Sequence, residues 1–337
     1  MSTPDRPDPV VATPRLRPGR RPWGSAAVLL PHHPDGTVDW DSFTVLLTRT
    51  VAAGLTPAVN MDTGFVQLLD DDTRRRVLAV TASLVDGSPF LAGAFVADRP
   101  GDAFAPGRHT AALTEVAAAG GIPVLFPCHG LNALSPGGWV DAHHLLGAEV
   151  DRFIGFELGA QFVPYGRIQP IEAYRDLLGV RACIGAKHSS LSRVAEWERL
   201  AARDELRPDF HVFTGNDLAI DMVTYGSDYL LGLAAFAPDH FARRDERWAA
   251  GDPTWAELND LLQFLGAFSF RAPVPAYRHD AALFLHHRGW IDSPTVPAGA
   301  PTRTHVAAEV EVLAGIAADL DADAVGAVAA LVTESGA

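Results

Sequence analysis

Lysine is almost missing from this chain. Of 27 basic residues, 26 are arginine, and the one lysine is Lys187. Arginine serves as a surface cation as well as lysine does. It cannot supply a neutral amine or a Schiff base, because guanidinium keeps its proton at any working pH. A lysine that stands alone in such a background is a functional candidate before any motif is consulted. Cysteine is scarce too: Cys128 and Cys183 are the only two, each inside an apolar run. That excludes a disulfide framework and fits a reducing cytoplasm. No apolar run reaches the roughly 20 residues that span a bilayer. The Pro- and Arg-rich start has no apolar stretch behind it, unlike a secretory leader. Positive charge is also short. A net charge of −14 excludes nucleic acid and anionic membrane surfaces as partners and accounts for solubility. The glycine-rich phosphate loops GxGxxG and GxxxxGK[ST] do not occur. HxxxH, CxxC and HExxH spacings are absent as well, and the adjacent pairs His32/His33, His143/His144 and His286/His287 cannot share one face of a helix or strand. No cofactor and no metal are expected.

What the chain does have is 337 residues, 48% of them hydrophobic, which is ample for a large core. Apolar runs at 24–30, 57–61, 90–96, 122–126, 153–157, 181–186, 210–214 and 228–233 read as strands. Segments with apolar positions three and four apart follow most of them, as at 43–51, 73–85, 110–119, 171–178 and 194–202. Eight β-α repeats predict an α/β protein, a (β/α)8 TIM barrel, with an open doubly wound sheet as the alternative. After Pro253 the pattern is helical only, at 255–270, 274–288 and 305–331. We therefore expect a flexible arm over 1–21, the barrel over 22–250, and a C-terminal helical extension over 251–337, packed on the barrel or on a neighbouring subunit.

Barrel active sites lie where strands end, at the C-terminal rim. Residues just past the runs should converge there: Asp62, Thr63 and Gly64; His129; Glu157; Lys187 and His188; Gly215 and Asn216. Lys187 sits in IGAKHSS, so its stem begins inside the apolar barrel. Desolvation lowers an ammonium pKa and exposes a nucleophilic amine, which can form an iminium with a ketone or aldehyde. Glu157, one strand away, is the candidate proton shuttle, with His129 and His188 as alternatives. Asp62, Thr63 and Asn216 could orient substrate oxygens, with backbone N–H groups of Thr63 and Gly64 as donors. Each also suits a helix-entry turn.

The residues resemble the dihydrodipicolinate synthase/N-acetylneuraminate lyase superfamily over about 24–290. VLLPHHPDGTVDW is similar to that family's first strand and loop, NMDTG to its GTTGE segment, IGAKHSS to its lysine segment, and VFTGNDLAIDMVTYGSDYLLG to its seventh-strand region. The resemblance implies a class I lyase with Lys187 as the Schiff-base residue, Gly215 in the seventh-strand turn and Arg167 at the place of the substrate-carboxylate arginine. It also implies a homodimer or homotetramer. The departures are as informative. Asp62 replaces the first threonine of the pair that helps bind the pyruvate carboxylate, Phe65 replaces the following acid, and His129 replaces a tyrosine. Glu157 stands at the family's catalytic tyrosine, with Tyr165 near enough to take that role. The expected function is a Schiff-base lyase, aldolase or dehydratase acting on a small keto or sugar-derived carbonyl compound, and not authentic dihydrodipicolinate synthesis. A metal-dependent hydrolase or isomerase on the same barrel and a non-catalytic carbohydrate-binding relative are the alternatives, and a metal-dependent aldolase would draw its ligands from His32, Asp62, His129 and Glu157.

Overall fold

Eight parallel strands close into one barrel in sequence order in the computed structural model, which describes residues 14–334, with side chains as far as 324. They are β1 (Gly24–Ala27), β2 (Thr56–Val59), β3 (Leu91–Ala94), β4 (Ile122–Leu125), β5 (Phe153–Leu158), β6 (Cys183–Ser189), β7 (His211–Thr214) and β8 (Asp228–Leu231). Strand β1 pairs with both β2 and β8, so no sheet edge is left open. Side chains alternate across each strand. Val124, Ile154, Phe156, Leu158, Phe213 and Leu230 turn inward and fill the lumen. Leu125, Phe153, Cys183 and Val212 turn outward and meet the helices.

The helices of the barrel are α1 (Trp40–Ala52), α2 (Asp71–Val85), α3 (Pro106–Ala118), a short α4 (His129–Asn132), α5 (Pro136–Gly147), α6 (Ile171–Leu177), α7 (Arg193–Leu206) and α8 (Pro238–Ala250). Their starts carry local signals. Asp39, Asp70 and Ser192 each accept a backbone N–H three residues on, capping α1, α2 and α7. Such a cap contributes about 1 kcal/mol. Three more helices follow: α9 (Trp255–Ser269), α10 (Tyr277–His287) and α11 (Val306–Glu334). Leu262, Leu285 and Leu313 from these helices share one apolar core with Phe43 of α1 and Phe241 of α8. The C-terminal helices therefore pack on the barrel of their own chain.

Two expectations change. The described part of the arm, residues 14–21, is tied down rather than loose. The backbone N–H of Arg17 donates to Thr224 O at 2.7 Å, and Arg20 bonds Ser227 O and the Asp228 carboxylate. Residues 1–13 of that arm lie outside the described residues. Strand β6 also runs on to Ser189, so Lys187 lies within the strand and not beyond it. Cys128 and Cys183 are free, buried thiols. Among the described residues no helix is long and apolar enough to cross a membrane.

Candidate active site

The position of Lys187 follows from strand pairing. It is in register with Phe156 on β5 and Phe213 on β7, both of which fill the lumen. Its side chain shares that inward parity and opens into a cavity of about 300 Å³ at the C-terminal end of the barrel. Only 9% of the residue is exposed. The Nζ stands 4.7 Å from the centre of the Phe156 ring. Among the described residues no hydrogen bond or ion pair reaches it. Burial pulls the ammonium pKa down, while the charges of Asp217 and Asp62 push it back up. Gly215 makes room for the stem: a Cβ there would lie 2.1 Å from Ser189 Oγ and 2.7 Å from Lys187 Cε.

The loop after β2 supplies the facing wall. Gly64 and Val66 donate to Met61 O, and Phe65 is held at φ 59, a left-handed conformation that costs a non-glycine residue about 1 kcal/mol or more. This tight turn brings Asp62 and Thr63 to the cavity. A hydroxyl from outside the barrel meets them there. Tyr277, the first residue of α10, donates to Asp62 Oδ2 at 3.0 Å, and its oxygen is 2.9 Å from Thr63 Oγ1. The Tyr277 ring stacks on Phe270 at 4.2 Å and 16°. Gly232 leaves space for it, since a Cβ there would be 3.0 Å from Tyr277 Cε2. Burial, then the Asp62 charge, raise the Tyr277 phenol well above its ordinary pKa, so it keeps at neutral pH the proton it shares with Asp62 Oδ2. Asp217, past β7, also lines the cavity and accepts the Leu233 N–H at 2.8 Å. Burial pushes its carboxyl up to about 7.

Several expected site residues lie elsewhere. Glu157 and His188 have the opposite parity to Phe156 and Lys187 and point out through the barrel wall. There the Glu157 carboxylate accepts from Gln169 N at 2.9 Å, from Arg199 Nε and Nη2 at 2.8 Å each, and from His188 Nδ1 at 3.0 Å. Ser190 Oγ occupies the other imidazole nitrogen of His188 at 2.8 Å. Neither residue can shuttle protons at Lys187. His129 starts α4, where its N–H is capped by Asp98, and its ring packs on Tyr165 at 4.5 Å, one layer behind the cavity. Arg167 donates to Asn132 O and Leu134 O and does not line the cavity. Asn216 accepts the Leu218 N–H in a local turn and borders a separate small recess. Gly64 serves the turn and not the lining. Asp62, Thr63, Lys187, Gly215 and Tyr165 do line the cavity. His32 packs on Phe65 at 5.8 Å, so the four residues considered as metal ligands do not converge. Among the described residues no group of three or more His, Cys, Asp or Glu side chains is arranged to hold a metal.

Sequence reasoning missed Tyr277, Arg278 and Ser189, and it placed Asp217 past the seventh strand beside Asn216 without counting it among the site residues. Ser189 was accessible by counting two residues on from Lys187 along the same strand face. Nothing local marks Tyr277 or Arg278.

No protein-family model matches the chain, and no curated protein matches it. Solved structures do. A monomeric dihydrodipicolinate synthase variant aligns at 17% identity with a TM-score of 0.75, covering 89% of this chain and 97% of that one. Dihydrodipicolinate synthase from Thermotoga maritima gives 17% identity and a TM-score of 0.75, over 89% of this chain and 98% of its own. A prophage protein of the dihydrodipicolinic acid synthase family from E. coli K12, in complex with pyruvate, gives 16% identity and 0.73, over 88% and 98%. The chain thus has the (β/α)8 fold of the dihydrodipicolinate synthase family structures, carried by a widely diverged sequence.

Proposed function

We propose that this protein is a class I lyase of the aldolase type, which activates a small carbonyl compound as an imine on Lys187. The observation that carries the reading is a single buried amine, unpaired and depressed in pKa, facing a cavity at the C-terminal end of a (β/α)8 barrel. In such a site the neutral amine attacks the carbonyl carbon to give a carbinolamine, which loses water to form an iminium. The iminium then withdraws electrons from the adjacent carbon. Either a proton leaves that carbon to give an enamine, or, where the next carbon bears a hydroxyl, that hydroxyl gives up its proton, the C–C bond breaks and an aldehyde departs to leave an enamine; the enamine carbon then takes a proton or adds a second carbonyl. Both routes end in hydrolysis that returns the amine. Protons must move at the carbinolamine oxygen and at the carbon. The Tyr277 hydroxyl, held between Thr63 and Asp62, is the donor when its proton turns from Asp62 Oδ2 to the substrate oxygen, and Asp217 is the group poised to accept near neutral pH.

Authentic dihydrodipicolinate synthesis does not suit this wall, because Asp62 stands where a substrate carboxylate would need a neutral or cationic partner. Assembly into a homodimer or homotetramer accompanies the proposal, and the exposed Leu191 and Leu218 beside the rim offer apolar contact for it. The test is borohydride reduction in the presence of candidate carbonyl compounds, followed by peptide mass mapping. A reduced adduct on Lys187, absent from Lys187→Arg, is expected. A broad aldehyde and ketone panel that leaves Lys187 unmodified overturns the proposal.

A further inference from the structure

The lining of the cavity restricts what the amine can meet, and this step rests on the imine reading above. Phe95, Phe126 and Phe156 run edge-to-face along the wall, at 5.6 Å and 76° and then 5.3 Å and 86°. Phe162, Phe270 and Met61 continue that apolar surface. The charged side chains at the cavity are Lys187 itself, Asp62, Asp217 and Arg278. Arg278 is the only fixed cation among them, and it is already engaged. Its Nη1 lies 3.2 Å from Asp62 O and 3.4 Å from Asp62 Oδ1, and its Nε donates to Pro275 O at 3.1 Å. A carboxylate beside the reacting carbonyl would be desolvated against two acidic side chains, and the one guanidinium there already spends Nη1 and Nε on Asp62 and Pro275.

Polyhydroxylated ligands meet a different deficit. His129, Glu157, His188 and Asn216, the groups that would have held sugar hydroxyls, all lie outside the cavity. Thr63 and Tyr277 bond one another. Among the described residues, Ser189 and Tyr165 are the lining hydroxyls without a protein partner. Those two hydroxyls can hold one carbonyl or carbinolamine oxygen; a chain of hydroxyls would have to rely on Gln67 and on Asp62 and Asp217, whose carboxylates are already engaged by Tyr277, Arg278 and the Leu233 N–H.

We infer that the substrate is a carbonyl compound with an uncharged apolar tail, aryl or alkyl, and no carboxylate next to the carbonyl. The aromatic wall takes the tail, the amine takes the carbonyl carbon, and the Ser189 and Tyr165 hydroxyls take the oxygen.

The experiment compares matched carbonyl compounds in borohydride trapping on the full chain. Phenylacetone and phenylpyruvate differ by a methyl against a carboxylate, and erythrulose and pyruvate supply the polyhydroxylated and short keto-acid cases. Each labelling rate is divided by the rate of the same compound with acetyl-lysine, which removes intrinsic reactivity. Phenylacetone is expected to label Lys187 at least about tenfold faster than the other three on this scale. Asp62→Asn removes the carboxylate charge beside Arg278, while the Arg278 bonds to Asp62 O and Pro275 O stay, and should raise phenylpyruvate labelling relative to phenylacetone by about tenfold. Phenylpyruvate, pyruvate or erythrulose labelling the wild type as fast as phenylacetone overturns the inference. Labelling by none of them sinks the imine reading. The tail specificity is then judged by calorimetry with carbonyl-free mimics: tighter binding of the alcohol of phenylacetone than of phenyllactate upholds it, and the reverse order, or no binding of either, overturns it.

Discussion

Replacing Glu157 by glutamine separates architecture from chemistry. A carboxylate one residue from the end of β5, on the strand next to Lys187, invites a catalytic role, yet its four acceptor contacts all lie behind the barrel wall. Its principal partner, Arg199, is 1% exposed. Glutamine keeps the shape and one acceptor oxygen but turns an NH2 group toward N–H donors, and it leaves the buried guanidinium with only the more distant Glu198 carboxylate, at 3.9 Å. Breaking a buried pair in this way costs about 3–5 kcal/mol. Burial alone would raise the Glu157 carboxyl, but the Arg199 charge and hydrogen bonds override it and hold the group well below the usual carboxylate range. A depressed folded pKa means that the stabilisation is complete above the unfolded pKa of roughly 4.3 and fades as pH falls toward the folded value. Denaturant unfolding should therefore show Glu157→Gln destabilised by about 3–5 kcal/mol between pH 6 and 8, with the gap narrowing below about pH 4. Borohydride trapping at Lys187, run well below the melting range of the variant, should match wild type. A variant as stable as wild type that fails to trap would show that the carboxylate acts at the amine and that the strand parity is wrong.

Other expectations follow from the cavity itself. Because burial lowers the Lys187 ammonium, the trapping rate should begin to rise at a pH below the ordinary value of 10.5. Asp217 and Asp62 oppose that shift, so Asp217→Asn or Asp62→Asn should move the rising limb to still lower pH; an unmoved limb would mean the carboxylates do not feel the amine. Tyr277→Phe keeps the stack on Phe270 and removes the proton donor, so turnover should fall by about 10²–10⁴ while the adduct still forms, and an unchanged rate would remove Tyr277 from the chemistry. Asp217 has a raised folded pKa, so its contribution to stability is complete below the unfolded value and is lost as pH rises through about 7. Asp217→Asn should accordingly melt higher than wild type at pH 8.5 and alongside it near pH 3, which thermal melts at the two pH values would check.

The barrel was legible in the sequence because its strands are short apolar runs, most of them followed by an amphipathic helix. Lys187 was legible from composition, since a chain that uses arginine elsewhere has a chemical reason to retain one amine. Parity was not legible. Barrel strands are buried on both faces, so they read as continuous apolar runs and not as an alternation. In Phe153–Leu158 the single polar residue looks like the one that reaches the site, yet Phe156 and Leu158 take the inward positions. The pairing with β6 shifts register between Phe153 and Ile154, so counting from the start of the strand does not fix the parity either. Glu157 and His188 are opposite one another in the ladder and went outward together.

Tyr277 was hidden for a different reason. It belongs to a helix outside the β-α repeats, and no spacing rule links that helix to the loop after β2. What places it is packing. The Arg278 guanidinium lies 5.2 Å from the Phe65 ring, and Arg303 anchors the far side of α10 through the Asp280 carboxylate at 2.8 Å and Ser269 O at 2.7 Å. The left-handed backbone at Phe65 gains a purpose from this contact, since the same turn that aims Asp62 and Thr63 at the cavity presents the Phe65 ring to Arg278. Amine and phenol thus come from segments with separate supports: β6 holds Lys187 by its strand ladder, while α10 holds Tyr277 by docking onto the barrel. A barrel deprived of the C-terminal helices would keep its amine and lose Tyr277, Arg278 and Phe270 together. The helical extension is therefore part of the cavity, and its packing sets whether a proton donor stands opposite the lysine.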